Sequence, residues 1–327
     1  MTERVIITGA TGFIGSHLAE NLVEEGYEVV AFDRYNSSNH WGWLENSKYK
    51  NQIEVILGDV RDYDSVSKAI RGCHVIFHLA ALIGIPYSYL SPLAYIRTNI
   101  EGTYNVLEAA KNLNVEQTLI TSTSETYGSA QYVPIDEKHP SVGQSPYSAS
   151  KIAADQLAIS YHKSFELPVK IVRPFNTYGP RQSARAIIPT IISQVLTGEK
   201  NIELGNLSPT RDLTYVLDTC QGFMDIYQSG SLYGEVTNIG MGQEISIRDL
   251  VNLILEIMGA DVNVIAKNER VRPDKSEVVR LYCDNSKLLR NTSWQAKFTL
   301  KQGLSEVVDW MTNPEHLALY KPSIYNV

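Results

Sequence analysis

Tyr147 and Lys151 lie four residues apart in a stretch that reads as helix, so their side chains share one face. A lysine ammonium about 4 Å from a phenol, at an effective dielectric of about 20, favours the phenolate by about 4 kcal/mol. That corresponds to roughly three pKa units off a starting value of about 10, which makes the phenol a base at neutral pH. With 19 tyrosines in the chain, about one Tyr-x3-Lys pair is expected by chance, so the spacing alone means little. Position gives it weight. The pair follows Ser122-Thr123-Ser124-Glu125, which closes an apolar run at 117–121, and the carboxyl edge of such runs is where doubly wound sheets bind ligands.

A second pattern sits at the start of the chain. In Thr8-Gly9-Ala10-Thr11-Gly12-Phe13-Ile14-Gly15, glycines repeat every third residue between a short β-branched run and an amphipathic stretch. Gly9 allows a tight turn, Gly12 lets backbone approach a pyrophosphate, and Gly15 lets helix and sheet pack closely. The N–H groups that open the following helix, at Phe13 and Ile14, offer a partial positive charge to the diphosphate. Asp33 closes the second apolar run, where a carboxylate accepts hydrogen bonds from ribose hydroxyls and repels a 2′-phosphate. Arg34 beside it argues the other way; NAD is the expected cofactor, with NADP the alternative. Asp59, followed by Val60 after the third run, either meets the adenine edge or caps a helix.

These groups need a frame. Val5–Thr8, Glu28–Phe32, Ile53–Leu57, Val75–Leu79, Gln117–Thr121 and Val169–Val172 are short apolar runs of the kind found in buried parallel strands. Helix-period stretches lie between them at 13–25, 63–71, 92–112 and 147–165. The alternation predicts an α/β fold with a doubly wound, parallel, Rossmann-type sheet and a smaller C-terminal substrate lobe. After Pro174 the pattern becomes irregular. The expected division is a dinucleotide-binding part over 1–175, with returning segments near 211–245, and a lobe over 176–327 that mainly binds substrate.

The chain has 327 residues, 43% apolar and 20% charged, which excludes a disordered or fibrous protein. A net charge of -7 argues against nucleic acid as a partner. No apolar run reaches the roughly 18 residues of a membrane span. The start, Met1-Thr2-Glu3-Arg4, reads as entry into a strand rather than a signal peptide, so a cytoplasmic protein is expected. Cys73, Cys220 and Cys283 are too scattered for a disulfide framework or a zinc site, and no metal is expected.

Taken together, the three glycines, His78-Leu79-Ala80-Ala81, Asn99, Tyr147-x3-Lys151 and Arg173-Pro174-Phe175-Asn176-x-Tyr178-Gly179-Pro180 resemble the extended short-chain dehydrogenase/reductases. The resemblance spans residue 4 to about 312. Most of these enzymes act on nucleotide sugars with NAD. It implies that Tyr147 is the base, Lys151 its partner on the nicotinamide ribose, and Thr123 a hydrogen-bond donor to the sugar 4-hydroxyl. Asn99 supports helix geometry beneath the site, unless it is a simple cap. Leu79, Ala80 and Ala81 join the cofactor wall. A homodimer is implied as well, through outer helices at 92–112 and 147–165 paired across a two-fold axis.

Epimerases and 4,6-dehydratases share the first step, oxidation at C4. A dehydratase must then remove the C5 proton and expel the 6-hydroxyl, which calls for an extra carboxylate. Glu125, two residues after Thr123, is expected to point the same way if the strand continues; the alternative is a solvated loop carboxylate. Thr123-Ser124-Glu125 with Tyr127-Gly128 resembles the GDP-mannose 4,6-dehydratases. Many dTDP-glucose dehydratases have Thr-Asp-Glu, so Ser124 replaces their general acid; protonated Glu125 or a water held by Ser124 must serve. More narrowly, Asn36-Ser37-x3-Trp41-Gly42-Trp43-Leu44, the 81–89 segment with Ile83, Ile85 and Tyr87, and Gln182-Ser183-Ala184-Arg185-Ala186 resemble the legionaminic-acid-pathway dehydratases of UDP- or GDP-linked N-acetylglucosamine. Alternatives are a 4-epimerase, an oxidoreductase that converts a 5,6-unsaturated nucleotide sugar, and a non-catalytic NAD sensor. For the substrate diphosphate the candidates are Arg211 and Arg272, helped by Asn176, Asn238 and Arg185.

Overall fold

The computed structural model describes residues 2–267 and 276–321. Its centre is a seven-stranded sheet in which every neighbouring pair is parallel. Six strands come from the first 174 residues: β1 (Arg4–Thr8), β2 (Glu28–Arg34), β3 (Ile53–Gly58), β4 (Val75–His78), β5 (Gln117–Thr121) and β6 (Val169–Pro174). The seventh, Val236–Ile239, returns from later in the chain to lie beside β6. The spatial order runs Val236–Ile239, β6, β5, β4, β1, β2, β3, so the direction of winding reverses between β1 and β4. That is the crevice where such sheets take ligands.

The two-residue period of the strands feeds two cores. Val5 and Ile7 face one side with Leu18, Leu22, Val29, Ala31 and Phe77. Ile6 faces the other with Val30, Phe32, Ile76, Val106 and Leu107. Each such side chain, fully buried, contributes about 1.5–3 kcal/mol. The first core continues through Ile188, Phe223, Leu250 and Leu304, so the later part of the chain shares it.

Crossovers are made by α1 (Phe13–Glu24), α2 (Tyr63–Ile70), α3 (Ile85–Leu90), α4 (Pro92–Tyr95), α5 (Gly102–Asn112) and α6 (Pro146–Phe165). The expected single helix over 92–112 is interrupted by a π-helical turn at Ile96–Glu101. The cause is tertiary: Asn99 is drawn to the loop after β4, and Thr103 donates its hydroxyl to the Asn99 carbonyl at 2.7 Å. Helix α6 starts with a capping box, Ser145 and Ser148 exchanging side-chain and backbone bonds, with Pro146 in the first turn.

Past β6 the sheets are small. Asn176–Tyr178 pairs with Leu213–Tyr215, Thr210–Arg211 with Ile245–Ser246, and Asn201–Leu204 with Asn263–Ala266. Asp212, fully buried, ties them together by accepting the N–H groups of Met241 (2.7 Å), Gln243 (3.2 Å) and Cys283 (3.2 Å). Among the described residues no helix is long and apolar enough to cross a membrane.

Candidate active site

The glycine loop leaves β1 at Gly9, whose φ of +73° is open to glycine alone at low cost. A Cβ there would meet Ala80 N at 2.8 Å, and one on Gly15 would meet Gly9 O at 2.2 Å. Gly12 occupies the N-cap of α1 without a side-chain cap, which leaves the N–H groups of the first turn, including Phe13 and Ile14, for a ligand. Leu79 N–H donates to Thr8 O at 3.0 Å and Ala80 N–H to Thr8 Oγ1 at 3.1 Å, fixing the 79–81 backbone across from the loop. This cradle, closed to side chains at Gly9 and Gly15 and edged by helix N–H groups, fits a dinucleotide diphosphate.

Asp33 stands at the end of β2, as expected. Its Oδ2 accepts Thr11 N–H at 2.8 Å and the Thr11 hydroxyl at 2.6 Å, so it also shapes the loop. Arg34 is exposed, and its N–H donates to Asp33 Oδ1 at 2.6 Å. Asp59 is not the helix cap: Asp62 caps α2, accepting Asp64 N–H. Asp59 instead pairs with Arg61, which holds its carboxyl below the usual range. Val60 is buried, and its carbonyl accepts Asn105 Nδ2 at 2.9 Å.

Asn99 is a clamp rather than a cap. It is 1% exposed; its Oδ1 accepts Leu82 N–H at 2.8 Å, and its Nδ2 donates to Leu82 O and Ser150 Oγ, both at 2.9 Å. Ser150 in turn donates to the Tyr147 carbonyl at 2.7 Å. One amide therefore joins the loop after β4 to the turn of α6 that carries Tyr147 and Lys151.

Tyr147 is buried against Ile85, Leu82 and Tyr95, the two rings edge-on with centroids 6.2 Å apart. Burial pushes its phenol up, opposed by a hydrogen bond with Thr123 and reinforced by the negative fields of Glu125, Tyr95 and Asp155. The expected lowering by Lys151 does not operate in this structure. Lys151 turns its Nζ to the Thr121 carbonyl at the end of β5, and burial lowers it to about 8, with Asp155 opposing that fall. An ammonium whose donors face a carbonyl gives the phenol little, and the pair remains buried side by side on α6.

The strand does not continue to Glu125. Ser124–Tyr127 is a 3-10 turn capped by Thr123, whose Oγ1 accepts Glu125 N–H at 3.3 Å. Strand alternation therefore does not orient Glu125, yet the turn brings it close enough for its charge to act on the Tyr147 phenol. Ser124 is 2% exposed and packed inward.

The substrate candidates divide. Tyr87, 38% exposed on α3, leans towards Tyr95 with centroids 6.2 Å apart. The Arg185 guanidinium lies against Gly84, where a Cβ would meet its NH1 at 2.4 Å. Asn176 keeps a buried Oδ1 without a hydrogen-bond partner among the described residues, a polar atom that suits a ligand donor. Arg211 is 8% exposed; it donates to Thr210 O at 2.8 Å and faces Glu277 at 3.4 Å. Asn238 is fully buried, and its side chain is engaged within the protein, accepting the Tyr127 hydroxyl at 2.7 Å and donating to Ile135 O at 3.2 Å. Arg272 lies outside the described residues. Sequence reasoning missed Tyr95 and Asp155. The latter had a legible signal, since it sits one further turn along the Tyr147–Lys151 face.

Comparison with known proteins bears on this arrangement. The model of the GDP-mannose 4,6 dehydratase family matches residues 6–307. The dTDP-glucose 4,6-dehydratase of Streptomyces antibioticus is 31% identical over 313 residues, covering 94% of this chain and 91% of that protein. The crystal structure of the dTDP-glucose 4,6-dehydratase DesIV from Streptomyces venezuelae, with NAD and TYD bound, superposes with a TM-score of 0.87 at 28% identity, covering 98% of this chain and 99% of that one. A UDP-N-acetylglucosamine 4-epimerase from Methanobrevibacter ruminantium gives 0.85 at 30% identity, covering 95% and 99%.

Proposed function

The chain belongs to the GDP-mannose 4,6-dehydratase family of NAD-dependent nucleotide-sugar dehydratases and epimerases, and from that premise we propose that it is a 4,6-dehydratase of UDP- or GDP-linked N-acetylglucosamine. The observation that carries this reading is Glu125, a carboxylate on the turn opened by Thr123 and within electrostatic reach of Tyr147. An epimerase has no use for it there.

The cradle at Gly9, Gly12 and Gly15, with Asp33 at the ribose and Lys151 at the nicotinamide ribose, holds NAD. When bound, NAD would supply the redox chemistry, as hydride acceptor towards C4 and hydride donor towards C6. Thr123 positions the 4-hydroxyl and Tyr147 takes its proton, a role that requires Lys151 to turn from the Thr121 carbonyl towards the phenol. Glu125 then removes the C5 proton, made acidic by the 4-ketone. The same carboxylic acid gives that proton to the 6-hydroxyl, which leaves as water, and C5 takes a new proton from solvent when hydride adds at C6. One residue thus serves as base and acid, which answers the absence of an aspartate at position 124.

Ile83 is 56% exposed beside Tyr87, an apolar rim suited to an acetamido methyl. Asn176, Arg185, Arg211 and Arg272 are assigned to the substrate's nucleotide end. The reading includes a cytoplasmic, isologous homodimer; Leu90, Leu93, Ile96 and Tyr104 leave the 85–112 stretch apolar and exposed. Light scattering that gives a monomer at micromolar concentration removes the dimer.

A second reading, 4-epimerisation, is favoured by Ser124 and by the likeness to a UDP-N-acetylglucosamine 4-epimerase. Incubation with UDP- and GDP-N-acetylglucosamine followed by mass spectrometry separates the two. Loss of one water supports dehydration, and an unchanged mass with a new sugar supports epimerisation. No turnover on either points to a 5,6-unsaturated substrate or an NAD sensor.

A further inference from the structure

Tyr147, Lys151 and Asp155 recur every fourth residue along α6 and so lie on one face, with exposures of 7%, 4% and 1%. Asp155 is held on two sides. Its Oδ2 accepts the Ser122 hydroxyl at 2.6 Å and Arg173 NH2 at 2.7 Å, and Arg173 Nε donates to Ser122 Oγ at 3.1 Å. The guanidinium also lies over the Tyr127 ring, 4.5 Å from its centroid. Asp155 Oδ1, equally buried, has no hydrogen-bond partner among the described residues. A buried carboxylate kept half unsatisfied is costly as pure architecture. Its charge has a second cation within reach, the Lys151 ammonium one helical turn away.

We propose that Asp155 is a positioning residue of the reaction: clamped by Arg173 and Ser122 one helical turn from Lys151, its carboxylate holds that ammonium on the face of α6 that carries Tyr147. The proposal rests on Tyr147 and Lys151 being the reacting pair. Thr121, whose carbonyl takes the Lys151 ammonium, adjoins Ser122, whose hydroxyl takes the carboxylate, so one strand end orients both groups. The other titratable groups facing this cluster do not substitute for Asp155. His78 on β4 is neutral, pushed down to about 3 by burial and by Lys151 itself. Tyr95 beside α6 and Tyr127 on the 3-10 turn are both pushed up by burial. Glu125 acts on Tyr147, and Arg173 opposes an ammonium. Without Asp155, burial and an uncompensated Arg173 both act against the charge on Lys151.

The test is the titration of Lys151 itself, in NAD-loaded protein labelled with 15N-lysine, its Nζ resonance identified by its loss in Lys151→Met. Asp155→Asn is expected to lower the midpoint by about one to two pKa units, and Asp155→Glu to restore most of it. Arg173→Gln is expected to move it upward, because the carboxylate then loses its competing cation. Whichever of the two neutralised variants folds decides the matter, and an unmoved Lys151 midpoint overturns the proposal. This readout needs no substrate. Should Lys151→Met retain full turnover, the reading of Tyr147 and Lys151 as the reacting pair fails instead, separately from the coupling.

Discussion

Asn99 and Leu82 meet across the two segments that flank the crevice, the side-chain amide of one matching both backbone polar groups of the other at 2.8 and 2.9 Å. This pairing sets the π-helical turn at Ile96–Glu101 and the height of the loop that leads into α3. Asn99→Ala leaves the Leu82 N–H and carbonyl without their partner, and the expected loss of stability is about 2–3 kcal/mol in urea unfolding. Turnover should fall by at least about tenfold, since the amide also steadies the α6 turn of Tyr147. A variant with wild-type stability and rate would show that the clamp is dispensable.

Acid should destabilise the protein through two buried histidines. His78 is lowered by burial to about 3 and His17 by burial, with Arg181 adding to it, to about 4, against 6.5 in the unfolded chain. Both fold as neutral rings, so the unfolded state binds more protons as pH falls below 6.5. The stability they allow is complete above that value and is lost between 6.5 and their folded values. At pH 5 each costs about 2 kcal/mol. The Thr103 hydroxyl donates to Asn99 O and therefore accepts from His78 Nε2, which leaves Nδ1 to accept from Thr8. Unfolding free energies at pH 5 and 7 check this, and equal values contradict it.

Asp33 orders Thr11 in the glycine loop, and the proposed function assigns it to the adenosine ribose. Purified protein should carry NAD(H). Asp33→Ala should weaken NAD binding by at least about tenfold and narrow the preference for NAD over NADP. Extraction that yields only NADP(H), or no affinity for either dinucleotide, contradicts the assignment.

The two proton-handling groups should separate by step. Tyr147→Phe blocks C4 oxidation, so no reduced-nicotinamide absorbance develops on adding substrate. Glu125→Gln still oxidises C4 but stalls before elimination, and that absorbance accumulates. Loss of a general base costs about 10²–10⁴ in rate. An effect under roughly tenfold in Glu125→Gln makes Glu125 a bystander, and the epimerase reading then gains.

The sheet was legible because apolar alternation, as in Val5-Ile6-Ile7, is imposed by the two cores that those residues enter. The glycine loop was legible because close backbone approach excludes side chains at Gly9 and Gly15. Features made by long-range hydrogen bonds were not. Nothing local in Ile96–Glu101 announces a π turn, whose cause lies at Leu82. Extending strand geometry to Glu125 failed because the Thr123 hydroxyl closes a 3-10 turn. Asn238 carried a plausible polar side chain, but Tyr127 and Ile135 take both its ends. The Tyr147–Lys151 spacing fixed their shared face and could not reveal the Thr121 carbonyl that competes for the ammonium.

The central claim, elimination across C5 and C6 with Glu125 moving the C5 proton, is tested most directly in heavy water. The enzyme is given UDP- or GDP-N-acetylglucosamine, and the product is read by mass spectrometry and proton NMR. The account predicts a 4-keto-6-deoxy sugar that has lost one water and carries one deuterium at C5, formed by the wild type and not by Glu125→Gln. A product of unchanged composition with an inverted C4 and its C5 hydrogen retained would contradict it.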